Sequence, residues 1–195
     1  MEIPRRSLAD ATELRALAHP TRLRILEFLQ LEGPLTATEA AERVGESPAN
    51  CSWHLRQLAR YGFVEETRDG VGRQRPWRAR LEVQNFDATE GDAGQASIAA
   101  STAIHERELD ALRQWHQARS GAPEDWRDAG FDLRAIAWLT PTELAEVAAM
   151  LTDMIMRFAE RAADPDGRPR DARPVRLVAW GAPDARTVTG PASTA

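Results

Sequence analysis

Between Ser47 and Arg60 the chain sets out side chains able to read hydrogen-bonding edges. Cys51, Leu55 and Leu58 recur at helical spacing as an inner stripe, so the opposite face presents Ala49, Asn50, Ser52, Trp53, Arg56 and Gln57. An arginine fork matches the paired acceptors of guanine, and an Asn or Gln amide matches the donor–acceptor pair of adenine. His54 sits beside the stripe and has two readings, a buried ring that positions the helix or a phosphate contact. Further along come Arg68, Arg73, Arg75, Arg78 and Arg80. Their guanidinium forks suit phosphate oxygens, which adds Arg73, Arg75 and Arg78 to the candidate contacts.

Other chemistry finds little support. No nucleophile–base pair, carboxylate pair or phosphate-cradling glycine loop is visible, so catalysis has no residues to stand on. The single cysteine, Cys51, excludes intramolecular disulfides and fits a reducing cytoplasm. It reads as a small core residue, with a redox-sensing thiol as the sharper alternative. The 195 residues hold no uncharged apolar run long enough to span a bilayer, and no apolar stretch behind the N-terminus marks a secretory signal.

The elements needed to hold these residues are legible. Asp10 with Glu13 opens a helix over Ser7–Ala18, and Pro20 starts a second that Gly33-Pro34 stops. Thr36 and Glu39 form a capping box for a short third helix on Ala40, Ala41 and Val44. Gly45-Glu46 turns the chain, and Ser47-Pro48 starts the fourth helix, which runs to about Arg60. Strand signals at Phe63–Thr67 and Arg75–Leu81 flank a hairpin turn at Asp69-Gly70. Helix, turn, helix and hairpin in that order predict a winged helix-turn-helix.

Three stretches carry a family resemblance: Leu17 to Leu26 (LAHPTRLRIL), Ser52 to Leu58 (SWHLRQL) and Gly62-Phe63-Val64. Together they resemble ArsR-type winged-helix transcriptional regulators, and Gly72 to Arg78 (GRQRPWR) resembles the wing of an actinobacterial branch. The resemblance covers about residues 9–80. It implies cytoplasmic, dimeric, DNA-binding regulators, often repressors released by a metal or small molecule.

Net charge divides along the chain. Residues 47–80 hold seven arginines against three acids, whereas residues 81–195 hold twelve against nineteen, within an overall charge of −5. A basic segment on an acidic remainder predicts a division of labour. In the acidic part, residues 95–119 read as a long helix with Ile98, Thr102, His105, Leu109, Leu112 and His116 in a heptad seam, predicting self-pairing. In the resembling family, zinc sensors use a similar histidine pair with acidic or histidine companions. Ala103 and Arg119 occupy those companion positions here, and two histidines cannot complete a tetrahedral site, so no metal and no cofactor is expected. Beyond the helix, alternation at Phe131–Leu139, a capped helix from Thr140 and alternation at Val175–Gly181 predict a strand–helix–strand unit. Trp115, Trp126, Trp138, Met150, Met154 and Trp180 are candidates for an effector pocket, with core filling as the competing role.

The sequence thus predicts a mainly α chain with small β content: an N-terminal arm (1–6), a winged helix-turn-helix domain (7–82), a linker (83–94), a long dimerisation helix leading a small α/β C-terminal unit (95–181), and a disordered tail (182–195). The matching function is a homodimeric repressor on an inverted repeat of double-stranded DNA, with a small molecule as candidate effector and no membrane partner. The competing reading is a protein-interaction adaptor whose acidic C-terminal domain binds a partner.

Overall fold

The computed structural model describes residues 5–67, 75–80, 82–86, 88–158, 161 and 167–188. The chain is mainly helical. In order, the described elements are β1 (Arg5–Leu8), α1 (Ala11–Leu17), α2 (Pro20–Glu32), α3 (Ala37–Val44), α4 (Pro48–Arg60), β2 (Val64–Glu66), β3 (Trp77–Ala79), β4 (Val83–Phe86), α5 (Gly91–Ala118), α6 (Glu124–Ala129), α7 (Pro141–Met156) and α8 (Ala185–Val188).

Local signals fix the helix starts. Asp10 accepts from the Thr12 and Glu13 amides at 2.9 and 3.0 Å, beginning α1. The capping box ahead of α3 is complete: the Glu39 amide donates to Thr36 Oγ1 at 3.2 Å and the Thr36 amide to Glu39 Oε2 at 2.8 Å. Ser47 Oγ accepts from the Asn50 amide at 3.2 Å, with Pro48 in the first turn of α4. Between α3 and α4, Gly45 adopts φ 70°, ψ 37°, a left-handed conformation in which an L side chain is strained. That turn sets the angle between the two helices.

The core lies where α1, α2, α3 and α4 meet the wing. Leu14, Leu17, Ile25, Leu29, Val44, Cys51, Leu55, Leu58, Phe63 and Trp77 share one buried cluster. β2 and β3 pair antiparallel with Glu65 opposite Arg78, and a bridge from Leu35 to Trp77 ties the wing's base to the α2–α3 connection. The hairpin turn at Asp69-Gly70, with Arg68 and Arg73, lies outside the described residues.

Several boundaries differ from the sequence reading. Ser7 and Leu8 belong to a strand rather than to the first helix: β1 runs parallel to β4, from Arg5 opposite Val83 to Leu8 opposite Phe86. Leu8 is fully buried, and Arg6 ion-pairs with Glu82 at 3.0 Å and with Glu13 while lying 4.7 Å over the Phe63 ring. The expected linker at 83–94 is occupied by β4 and the first turn of α5. α5 starts four residues early because Gly94, Ala96, Ser97 and Ala100 are buried, the two alanines within the winged-helix core. Small side chains there let α5 approach closely, which a linker would not need.

In the C-terminal half, the capping box at Thr140 and Glu143 opens α7 as the sequence predicts. The two strands do not form: residues 131–139 and 175–181 join no ladder among the described residues, since neither finds a backbone partner on this chain. The tail reading also changes, because Asp184 accepts from the Arg186 amide at 2.9 Å at the start of α8, and residues 189–195 lie outside the described set. None of the described helices is long and apolar enough to cross a membrane.

Core burial sets a first expectation. Leu55 is wholly enclosed, so Leu55→Ala is expected to cost about 2–5 kcal/mol in urea-induced unfolding, through lost transfer energy and the cavity left behind. Gly45→Ala is expected to cost about 1–2 kcal/mol through left-handed backbone strain alone.

Candidate nucleic-acid interface

α4 is half core and half surface. Cys51, His54, Leu55 and Leu58 are buried, while Ala49, Trp53, Arg56 and Arg60 are exposed and Asn50, Ser52 and Gln57 are half-buried. The outward row read from the sequence is therefore brought together on one face, with the exception of His54. Arg56 makes no ion pair among the described residues, so its five donors face solvent. Asn50 Nδ2 donates to Glu46 Oε2 at 2.8 Å, which holds the amide near the start of the helix. Trp53, 49% exposed, meets the His54 ring edge-on at a centroid distance of 4.8 Å. Arg60 continues the exposed row at the far end of α4; its place was readable from the Asn50–Trp53–Arg56–Arg60 spacing.

His54 is the correction among the candidate contacts. It is only 3% exposed, so a phosphate cannot reach it. Its ring lies 4.8 Å from that of His19, the residue preceding α2, tilted at an interplanar angle of 52°. The Nδ1 atoms of both rings and Nε of Arg22 are buried without a hydrogen-bond partner among the described residues. Burial pushes the pKa of His54 down, and His19 and Arg22 push the same way against Glu46. Burial and Arg22 likewise lower the pKa of His19. Neutral rings therefore join α2 to α4. Cys51 beside them is a buried thiol whose pKa burial raises, which keeps it protonated and inert.

The wing arginines are exposed but partnered. Arg78 Nε donates to Glu65 Oε1 at 2.7 Å and Arg80 Nε to Glu65 Oε2 at 3.0 Å, and these bonds hold the Glu65 carboxyl below its usual range. Arg75 pairs more loosely with Glu66, at 3.6 Å. Arg73 lies outside the described residues. Trp77 is a structural residue, buried under the wing.

Along α5 the seam residues Ile98, Thr102, His105, Leu109, Leu112 and His116 are all exposed. His105 Nδ1 meets Ser101 Oγ at 3.2 Å on its own helix. No group of three His, Cys, Asp or Glu side chains among the described residues could hold a metal ion. The six aromatic and methionine candidates do not enclose a cavity together. Trp115 lies against Gly130, Trp126 carries the Arg173 guanidinium 5.3 Å above its ring, and Trp138, Met150, Met154 and Trp180 are exposed.

Helices α1 to α4, the last with one face exposed, followed by the β2–β3 hairpin define a winged helix-turn-helix. Comparison with known proteins agrees: residues 17–67 match the family described as "Helix-turn-helix domain". Over 56 residues the chain is 46% identical to a probable mercury resistance operon repressor of Streptomyces lividans. That match covers 29% of this chain and 44% of the repressor, less than half its length. Among solved structures, a crystal structure of an S. aureus MepR–DNA complex aligns with a TM-score of 0.32 and 14% identity, over 55% of this chain and 82% of that one. Residues 17–67 are therefore a helix-turn-helix domain, and the ArsR-type resemblance read from the sequence stands on that segment.

The histidine pair carries a signed pH dependence. Both rings bind protons less readily folded than unfolded, so their contribution to stability is complete above about pH 6.5 and is lost as the pH falls below it. His54→Phe, which keeps an aromatic ring in the gap, is expected to flatten the acid side of a plot of thermal midpoint against pH. An unchanged slope would place the acid sensitivity elsewhere.

Proposed function

We propose that this chain is a DNA-binding transcriptional regulator, a repressor that acts as a homodimer on an inverted repeat. The observation that carries the reading is α4: its phase is locked by Cys51, His54, Leu55 and Leu58, and its free face offers Asn50, Ser52, Trp53, Arg56 and Gln57 within a helix-turn-helix segment. Each copy would lay α4 in a major groove, with Ala49 and Ser52 allowing close approach and Arg56, Asn50 and Gln57 meeting base edges. Arg75, Arg78 and the undescribed Arg73 would flank it on the phosphates. Arg78 must exchange its Glu65 partner for a phosphate, whereas Arg75, paired at 3.6 Å, has less to give up. The likeness to a repressor supports repression as the direction of control. The open seam on α5 supports the dimer, and half-sites would lie about one helical turn apart or a multiple of it.

In this reading the C-terminal half is the dimerisation and effector region. The exposed Trp138, Met150, Met154 and Trp180 are the surface on which a small molecule would act, by changing the distance between the two copies of α4. The function needs no catalytic residues, no metal and no cofactor, and it belongs in the cytoplasm.

Two experiments test this reading. In a duplex-binding assay, Arg75→Ala is expected to weaken all sequences alike and to flatten the dependence of log affinity on log salt by about 1. Arg56→Ala is instead expected to cost about 1–3 kcal/mol at one operator position and to relax preference there. An adaptor protein would show no salt-dependent duplex binding at all. Leu109→Arg, placing a charge in the seam, is expected to dissociate the dimer in sedimentation and to abolish tight operator binding with every base-reading residue intact.

A further inference from the structure

We propose that residues 131–135 are a dimerisation strand, which pairs antiparallel with the same segment of a second copy about a two-fold axis through Leu133. The proposal rests on the homodimer inferred above and adds a second contact to it, distinct from the seam of α5.

The segment is bare. From Phe131 to Leu139 no backbone or side-chain hydrogen bond, ion pair or ring contact joins it to the described residues. Every residue in it is exposed, including Phe131 at 68%, Leu133 and Ile136 at 84% and Trp138 at 96%. Gly130 before it and Thr140 after it have extended backbone. Unpaired backbone groups next to exposed large apolar side chains are what a sheet edge offers to another strand. The other bare segment differs, because it is tied to its own chain. Arg176 reaches Glu108 at 3.1 Å and also Glu27, and Leu144 lies against Gly181.

Charge selects a second copy of this chain as the occupant. Asp132 and Arg134 flank Leu133, and neither is ion-paired among the described residues. Antiparallel pairing centred on Leu133 puts Asp132 opposite the partner's Arg134 and Arg134 opposite the partner's Asp132, so both charge pairs close by symmetry. The same register sets Phe131 against the partner's Ala135. A parallel in-register pair would instead oppose Asp132 to Asp132 and Arg134 to Arg134, which is repulsive. Of the registers that a two-fold axis allows for this segment, the one centred on Leu133 is the one that sets Asp132 opposite Arg134.

The register has a direct test. Residues at the centre of an antiparallel pair have Cα atoms about 4.5–5.5 Å apart, within reach of a disulfide. The native thiol, Cys51, is buried and does not compete. The full chain carrying Leu133→Cys is expected to form a covalent dimer under mild oxidation about tenfold faster than one carrying the exposed control Glu42→Cys. Adding either Asp132→Arg or Arg134→Asp is expected to reduce that rate to the control level. Mixing the two charge variants is expected to restore it as a covalent heterodimer, because their charges complement each other. A chain that sediments as a dimer yet cross-links no faster than the control, or whose cross-linking ignores Asp132→Arg, overturns the strand and leaves the α5 dimer standing. A chain that sediments as a monomer overturns the dimer and the strand with it.

Discussion

The structure depends on one constraint: α4 is a core element and an exposed polar face at once. Cys51, His54, Leu55 and Leu58 follow the i, i+3, i+4, i+7 pattern and are all buried, so the helix cannot turn about its axis. A rotation by one residue would lift Leu55 from a fully enclosed site and drive Arg56 inward. The first change forfeits about 1.5–3 kcal/mol of apolar burial, and the second desolvates an unpaired charge. The outward set is thereby as fixed as the inward one. The cap at Ser47 and the left-handed turn at Gly45 then fix where the helix begins and the angle at which it leaves α3.

What was legible in the sequence follows from how local the signals are. The starts of α2, α3, α4 and α7 match their reading because a cap or a first-turn proline acts within three or four residues. β1 escaped because it is four residues long and its partner lies more than seventy residues away; nothing local marks a parallel pair of that size. The buried place of His54 was present in the spacing, since residue 54 falls inside the 51–55–58 arc. Its partner His19 belongs to another helix start, and only the fold brings the two rings together. The segments at 131–139 and 175–181 show the opposite case. Alternation states what a segment can do once a partner is supplied, and it is silent on whether that partner belongs to the same chain.

Charge arithmetic also reads differently in three dimensions. The basic excess of residues 47–80 counts every arginine as free. Across the β2–β3 pair, Glu65 takes Arg78 and Arg80, and Glu66 takes Arg75, so much of the wing's charge is answered within the hairpin. Such exposed pairs contribute little to stability, which makes them exchangeable. In the proposed complex a phosphate would offer the same paired acceptors as the carboxylate, and displacing the glutamates would lower the net gain.

The junction between the two halves decides what kind of control the fold can transmit. A flexible linker at 83–94 would let the C-terminal half move without consequence for α4. Instead β4 pairs with β1 up to Phe86, and Ala96 and Ala100 of α5 share the core that seats Leu55. Further along α5, Arg107 pairs with Glu27 of α2, and Glu27 also takes Arg176 from the C-terminal segment. α5 is therefore held at two levels, by packing against α1 with Ala96 and Ala100 in the shared core, and by the charge pair of Arg107 with Glu27 on α2. With about 1.5 Å of rise per residue, the 28 residues of α5 make a lever of about 40 Å whose root lies inside the winged helix. In the proposed dimer, a change in the relation between two such levers would not be absorbed at a hinge at 83–94. It would be carried towards α4, the element whose phase the core has already fixed.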